Sequence, residues 1–134
     1  MAFLIGAVLA LSVGLFVRFT GLDRDRAFNP TVMIVIASYY ALFAVLGNSA
    51  HALANESIAI ALFVTASIAG FRTSLWLVVA TLAAHGLFDF VHGYLIVYPG
   101  VSVWWPSFCL SYDIVAAAYL VWLLSRSKAR ANAA

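Results

Sequence analysis

The chain has 134 residues, of which 66% are hydrophobic and 9% are charged, and its formal net charge is +2. This composition is too apolar for a soluble domain, and the length allows only one compact unit. It predicts an integral membrane protein, with no surface suited to a nucleic-acid partner. The single cysteine, Cys109, excludes an intrachain disulfide and a cysteine-cluster metal site.

Five apolar runs are long enough to cross a hydrocarbon core of about 30 Å, which takes roughly 17 to 25 helical residues. In chain order they cover residues 2–18, 31–48, 52–71, 74–97 and 107–125. The first run has no Lys or Arg before it and no clear cleavage site, so we expect it to remain as a helix. The predicted fold is an all-α, polytopic membrane bundle of five transmembrane helices. It forms one transmembrane domain over residues 1–125, followed by a short basic cytoplasmic tail over 126–134.

The basic residues predict the orientation of this bundle. They fall after helix one, between helices three and four, and at the end of the chain: Arg18, Arg24, Arg26, Arg72, Arg126, Lys128 and Arg130. With five spans, these three places share one side of the membrane, and the positive-inside rule makes that side cytoplasmic. We therefore expect the N-terminus outside and the C-terminus in the cytoplasm.

Three acidic residues are predicted to lie inside the membrane. Glu56 and Asp113 lie about a turn inside the outer ends of helices three and five, and Asp89 lies within the last turns of helix four before the same surface. The three carboxylates should therefore reach similar depths on three different helices. Further polar residues that could join the rim of such a site are Asn48, His51, Tyr39 and Tyr40.

Helix four carries the stretch HGLFDFVHG, residues 85–93. At about 100° per residue, His85, Asp89 and His92 share one face of this helix. Each such group costs about 2.5 to 3.5 kcal/mol at the centre of a bilayer. Several of them together imply a shared polar interior or a bound ion. The alternative interpretation is that they hydrogen-bond to one another and only fix the packing of the helices.

Histidine and carboxylate side chains are the ligands of zinc, iron, manganese and copper sites, and zinc or iron is the ion we expect here. Asp89 and His92 form an i, i+3 pair similar to that of carboxylate-bridged dimetal bundles, so Asp89 could bridge two ions. Alternatively, one ion could bind to Asp89, His92, Glu56 and Asp113, with His85 outside the ligand set. The candidate ligands are therefore Glu56, His85, Asp89, His92 and Asp113. Glu56 or His85 would be the spare acid or base.

Three blocks of the chain resemble a family of small polytopic proteobacterial inner-membrane proteins: GLDRDRAFNPTVMIVIASYY, GFRTSLWLVVATLAAHGLFDFVHGYLI and PGVSVWWPSFCLSYD. The most specific part is the H-x-x-x-D-x-x-H block with the Pro, Ser, Cys and Asp that follow. The resemblance implies a multi-pass protein of the bacterial inner membrane, in which His85, Asp89, His92 and Asp113 belong together, and it implies no activity. The chain is more weakly similar to zinc-dependent seven-helix membrane hydrolases, the ceramidases and adiponectin-receptor-like proteins, which have two more helices.

Two functions fit these residues. The first is an intramembrane metalloenzyme, a hydrolase or oxidoreductase acting on an apolar or lipid substrate that enters from the outer leaflet. The second is a metal-ion or proton transporter or relay, and an accessory subunit of a larger membrane complex is also compatible. An enzyme should have a closed floor and a lateral opening to lipid, whereas a transporter should be wet on both sides of the site. The expected partners are membrane lipid, an apolar substrate and a second copy of the chain in a homo-oligomer.

Overall fold

The structure, a computed structural model, describes residues 1–133, leaving aside the side chains of 129–131 and 133. The helices are α1 (Ala2–Thr20), α2 (Phe28–Leu46), α3 (Ala50–Arg72), α4 (Leu75–Leu95) and α5 (Trp105–Ala133). A short 3-10 turn, Leu22–Arg24, joins the first two, and the described residues contain no strand. All five helices are long and apolar enough to span a membrane. The predicted all-α fold with five membrane spans is confirmed, and the protein is a multi-pass membrane protein by length and composition.

Helix α2 begins at Phe28, before the predicted start at residue 31. Pro30 lies in its first turn, where backbone N–H groups have no intrahelical partner and a proline costs little. The turns before α3 and α4 are capped by serine side chains. Ser49 Oγ accepts a hydrogen bond from Ala52 N at 3.1 Å, and Ser74 Oγ accepts one from Trp76 N at 3.3 Å.

Helix α5 is longer than its predicted span of 107–125. It begins at Trp105 and continues to Ala133. Pro106 lies in its first turn, where it again breaks no hydrogen bond. The backbone of the predicted basic tail therefore continues the helix through Ala133, while the side chain of Arg130 and the whole of Ala134 lie outside the described residues.

The basic residues collect at one end of the bundle, which we call the basic end. Arg26 Nη2 donates a hydrogen bond to the carbonyl oxygen of Thr73 at 3.5 Å, which joins the α1–α2 turn to the α3–α4 turn. The guanidinium groups of Arg18 and Arg126 lie 5.3 and 4.4 Å from the ring centre of Trp122. The opposite end, which carries the α2–α3 turn and the Trp104–Trp105 pair, we call the tryptophan end. That the basic end faces the cytoplasm stays a prediction.

The helices pack in the order α1, α5, α4, α3, α2, with lighter contact between α2 and α4. Helices α1 and α2 are consecutive in the chain but are not among the pairs that pack extensively. The apolar core lies between α2, α4 and α5, and its buried members are Met33, Ala37, Val78, Leu82, Ala117 and Leu120. On each of these helices, the core residues lie nearer the basic end than Tyr40 and the buried ionisable residues do, and the buried Thr81 of α4 lies among them. We call this apolar core the apolar plug, and it lies between the buried ionisable residues and the basic end.

Candidate metal centre

The centre of the buried polar region is His85 on α4, which lies between two aspartates. Its Nδ1 is 2.7 Å from Asp113 Oδ2 and 3.3 Å from Asp89 Oδ2. His85 is 1% exposed, and both aspartates are 0% exposed. Asp89 is one turn further along α4, as the i, i+4 spacing requires, and Asp113 comes from α5.

Close packing of α4 on α5 brings Asp113 to His85, and Gly86 permits it. A Cβ placed on Gly86 would lie 3.2 Å from Asp113 Cβ and 3.4 Å from the carbonyl oxygen of Leu110. A side chain at this position would require Asp113 or the α5 backbone to move by a few tenths of an ångström. The small residue beside His85 therefore sets the distance between histidine and carboxylate.

Tyr40 of α2 completes this group from the third side. Its phenol donates a hydrogen bond of 2.5 Å to Asp89 Oδ1, while the other oxygen of Asp89 faces His85. The Tyr40 ring is 1% exposed, and its centre is 4.1 Å from the ring centre of His92. Tyr40 thus lies between the His85 group and a second buried pair.

The second pair is His92 of α4 with Glu56 of α3. His92 Nε2 lies 2.5 Å from Glu56 Oε1, and Glu56 is 0% exposed. Tyr98, in the loop after α4, covers this pair, with its ring centre 6.2 Å from that of His92. Burial and the nearby Glu56 carboxylate raise the pKa of the Tyr98 phenol, so it remains protonated and donates to the Tyr40 carbonyl oxygen at 3.3 Å.

Three of the predicted ligands, His85, Asp89 and Asp113, lie close enough together that they could hold one ion. Each offers one ligand atom, and these atoms lie within 4.8 Å of one another. Ligand atoms at about 2.0 to 2.2 Å from a zinc ion are at most about 4.4 Å apart, so small side-chain movements would bring all three to one ion. Asp89 Oδ2 and Asp113 Oδ1 are buried and lack a hydrogen-bond partner among the described residues. Such oxygens are costly to bury unless a cation or a proton neutralises them. Glu56 Oε2, outside the cluster, is also buried without a partner among the described residues.

The other predicted site residues lie elsewhere. Glu56 and His92 pair with each other, and Tyr40 stands between them and the three clustered residues. Asn48 is exposed in the α2–α3 turn with a φ of 50°, and the exposed His51 pairs with Asn55 at 3.3 Å between Nδ1 and Nδ2. The sequence left two arrangements open: two ions bridged by Asp89, or one ion with His85 outside the ligand set. The geometry is nearer to the one-ion arrangement, except that His85 is one of the candidate ligands.

The sequence did not predict that Tyr98 covers the Glu56–His92 pair. It predicted Tyr40 only as a residue at the rim of the site. The signal for Tyr40 was available, because it belongs to a short polar stretch, Ser38, Tyr39 and Tyr40, in the middle of a mostly apolar helix. Tyr98 had no such signal, since a tyrosine in a loop at a membrane surface is ordinary.

A groove opens to the side of the bundle between α1, α2 and α5. Its volume is about 440 Å³, and Cys109 and Tyr112 of α5 form part of its wall. Both are buried, and the next residue along α5, Asp113, belongs to the polar cluster. The groove and the cluster therefore lie on neighbouring positions of one helix.

Comparison with protein-family models, with curated proteins and with solved structures found no match to this chain.

Proposed function

We propose that this chain is an intramembrane metalloenzyme of a bacterial inner membrane that binds one divalent ion, zinc or iron, through His85, Asp89 and Asp113. The observation that carries this proposal is the pair of buried aspartate oxygens without partners beside His85. One imidazole and two carboxylates form a donor set that zinc and iron accept. Three protein ligands also leave a coordination position free, as in catalytic zinc sites.

The net charge of the cluster supports a cation. Two ionised aspartates with a neutral histidine carry two negative charges in a region shielded from solvent, and a divalent ion balances them. If His85 were instead protonated, it would balance only one carboxylate and leave the other unpaired. Isolated buried charges of this kind are expensive.

The buried polar residues have different roles in this proposal. His85, Asp89 and Asp113 hold the ion, and Tyr40 fixes the orientation of Asp89 through its phenol hydrogen bond. The Glu56–His92 pair, on the other side of the Tyr40 ring, can hold or release a proton. When bound, the ion supplies a Lewis acid that polarises a substrate oxygen or lowers the pKa of water.

The apolar plug favours an enzyme over a transporter. A path for ions or protons must continue to the second surface, but towards the basic end the cluster is followed by buried apolar side chains of α2, α4 and α5. A groove between α1, α2 and α5 opens sideways beside the cluster, with Tyr112 in its wall next to Asp113 in the chain, although no cluster residue lines it. An apolar substrate would enter sideways from the lipid and would need no path through the apolar plug to the basic end.

The test is the metal content of the purified protein. The chain is purified in detergent under metal-sparing conditions and loaded with zinc or ferrous iron, and bound metal is measured by inductively coupled plasma mass spectrometry. We expect about one ion per chain for the wild type and almost none for Asp113→Asn. Glu56→Gln is the matched control, because it alters an equally buried carboxylate outside the cluster and should keep the ion.

Circular dichroism and size-exclusion chromatography establish that each variant is folded, and His85→Gln replaces Asp113→Asn if the latter is not. A folded, monodisperse wild type that binds neither metal would overturn the proposal. Loss of the ion in Glu56→Gln as strongly as in Asp113→Asn would overturn the assignment of the ligands.

A further inference from the structure

We propose that a cavity at the basic end binds the phosphate group of an anionic ligand through Arg18, Arg24 and Arg126. The cavity has a volume of about 360 Å³ and lies between the α1–α2 turn, the start of α4 and the second half of α5. The apolar plug lies between it and the metal cluster. The proposal therefore does not rest on the proposed function.

The charge of the cavity wall favours an anion. The wall contains four arginines and two aspartates, which gives it a net charge of +2: Arg18, Arg24, Arg26, Arg126, Asp23 and Asp25. Among the described residues, neither aspartate forms an ion pair with an arginine. Asp25 Oδ1 instead accepts a hydrogen bond from the backbone N–H of Ala27 at 3.0 Å. The aspartates thus offset only part of the positive charge, and the rest can attract a ligand.

The arginines of the wall are positioned by groups that carry no negative charge. The guanidinium carbons of Arg18 and Arg126 lie 5.3 and 4.4 Å from the ring centre of Trp122, so one aromatic ring holds two cations near each other. The Arg24 side chain lies against Gly21, where an added Cβ would be 3.9 Å from the Arg24 guanidinium carbon. Neither kind of contact uses the N–H donors of the guanidinium group.

Those donors have no acceptor on three of the four arginines. Arg26 is the only arginine whose side chain donates a hydrogen bond to another described residue, the one to the carbonyl oxygen of Thr73. Like charges held close together repel each other, and an anion between them relieves that repulsion. A guanidinium group binds a phosphate group with two parallel N–H···O bonds, and for this reason arginine is common in phosphate sites.

The apolar part of the wall favours a phospholipid as the source of the phosphate. Leucines of α4 and α5 line the cavity beside the arginines: Leu75, Leu120, Leu123 and Leu124. A ligand with a phosphate group and an apolar part would contact both kinds of side chain. Arg18 lies in the last turn of α1, so the cavity lies where a membrane-spanning helix ends, at the level of the lipid head groups. Basic pockets between transmembrane helices are known to bind anionic head groups.

The experiment measures the binding of lipid and of free phosphate to the full chain. The protein is purified in non-ionic detergent and mixed with phosphatidylglycerol or phosphatidylcholine of the same acyl chains, and retained lipid is measured by native mass spectrometry. Inorganic phosphate is titrated separately by isothermal titration calorimetry. Arg24→Gln and Arg126→Gln each remove one cation from the cavity. Arg72→Gln is the matched control, because Arg72 is an exposed arginine at the end of α3 that does not line the cavity.

We expect the wild type to retain about one phosphatidylglycerol per chain and to prefer it to phosphatidylcholine, because the wall has a net positive charge. Arg24→Gln and Arg126→Gln should each bind it about fivefold more weakly, the loss expected for one basic residue near the membrane surface. Arg72→Gln should bind it like the wild type. Arg24→Lys keeps the charge but loses the planar pair of donors, so its affinity should lie between those of Arg24→Gln and the wild type.

The two sources of phosphate give different results. A preference for phosphatidylglycerol identifies a lipid as the source, whereas binding of inorganic phosphate without that preference identifies the free ion, and either result supports the site. A folded wild type that shows neither would overturn the proposal, and so would cavity variants that bind no more weakly than Arg72→Gln. Circular dichroism establishes that each variant is folded. If Arg126→Gln is unfolded because it loses its contact with Trp122, Arg24→Gln decides, since Arg24 has no such contact among the described residues.

Discussion

Tyr40 donates a 2.5 Å hydrogen bond to Asp89 Oδ1 from a different helix, and this contact leaves the second oxygen of Asp89 facing His85. Removing groups that orient metal ligands typically lowers metal affinity by about 10 to 100 fold. We therefore expect Tyr40→Phe to bind zinc about 10 to 100 fold more weakly, as measured by competition with a chelating indicator. Tyr39→Phe, at the neighbouring position that lines the groove, should bind zinc like the wild type. Equal affinities for Tyr40→Phe and the wild type would exclude an orienting role.

The Glu56–His92 pair should show the behaviour of a buried pair in which each partner satisfies the other's polar group. Breaking such a pair by removing one partner costs about 3 to 5 kcal/mol, whereas replacing both partners with apolar residues is often neutral. We expect His92→Leu to lower the thermal unfolding midpoint in detergent strongly. The double variant Glu56→Leu with His92→Leu should recover most of that loss. A double variant no more stable than the single one would contradict a compensated pair.

The close approach of α4 to α5 at Gly86 should control both stability and metal binding. An added methyl group would lie 3.2 Å from Asp113 Cβ, so Gly86→Ala should cost about 1 to 3 kcal/mol through overpacking and weaken metal binding. Gly93→Ala is a matched control on the same helix, because a Cβ there meets nothing within 4 Å. Unfolding midpoints and zinc titrations of the two variants test this. Similar behaviour of both would show that the spacing at Gly86 is not critical.

The apolar plug should prevent conduction. In sealed vesicles that contain the protein and a zinc-sensitive or pH-sensitive dye inside, an imposed gradient should decay at the rate of protein-free vesicles. The physical reason is that Val78, Leu82 and Leu120 offer no polar group to replace the hydration of an ion. Protein-dependent flux that Asp89→Asn abolishes would instead favour the transporter alternative.

Much of the site was predictable from the sequence, because a lipid environment restricts what a chain can do. Spanning segments must be helical, so the hydropathy pattern gives their number and their approximate bounds. Helical periodicity then places His85, Asp89 and His92 on one face of α4, and the high cost of polar groups in lipid makes that face point inward. The bounds of α2 and α5 were displaced because prolines are tolerated in the first turn of a helix.

The pairing of the histidines with the carboxylates was decided only by the tertiary structure. Similar depths made Glu56 and Asp113 equivalent as partners of either histidine. Two features decide the pairing: the rotation of each helix about its axis and the close approach of α5 that Gly86 permits. As a result, Asp113 contacts His85 and Glu56 contacts His92. The groove also arises only in three dimensions, since α1 packs on α5 rather than on α2. The sequence by itself determined which groups are inside the membrane, because that depends on solvation. The structure decided which of them meet, because that depends on the packing of one helix against another.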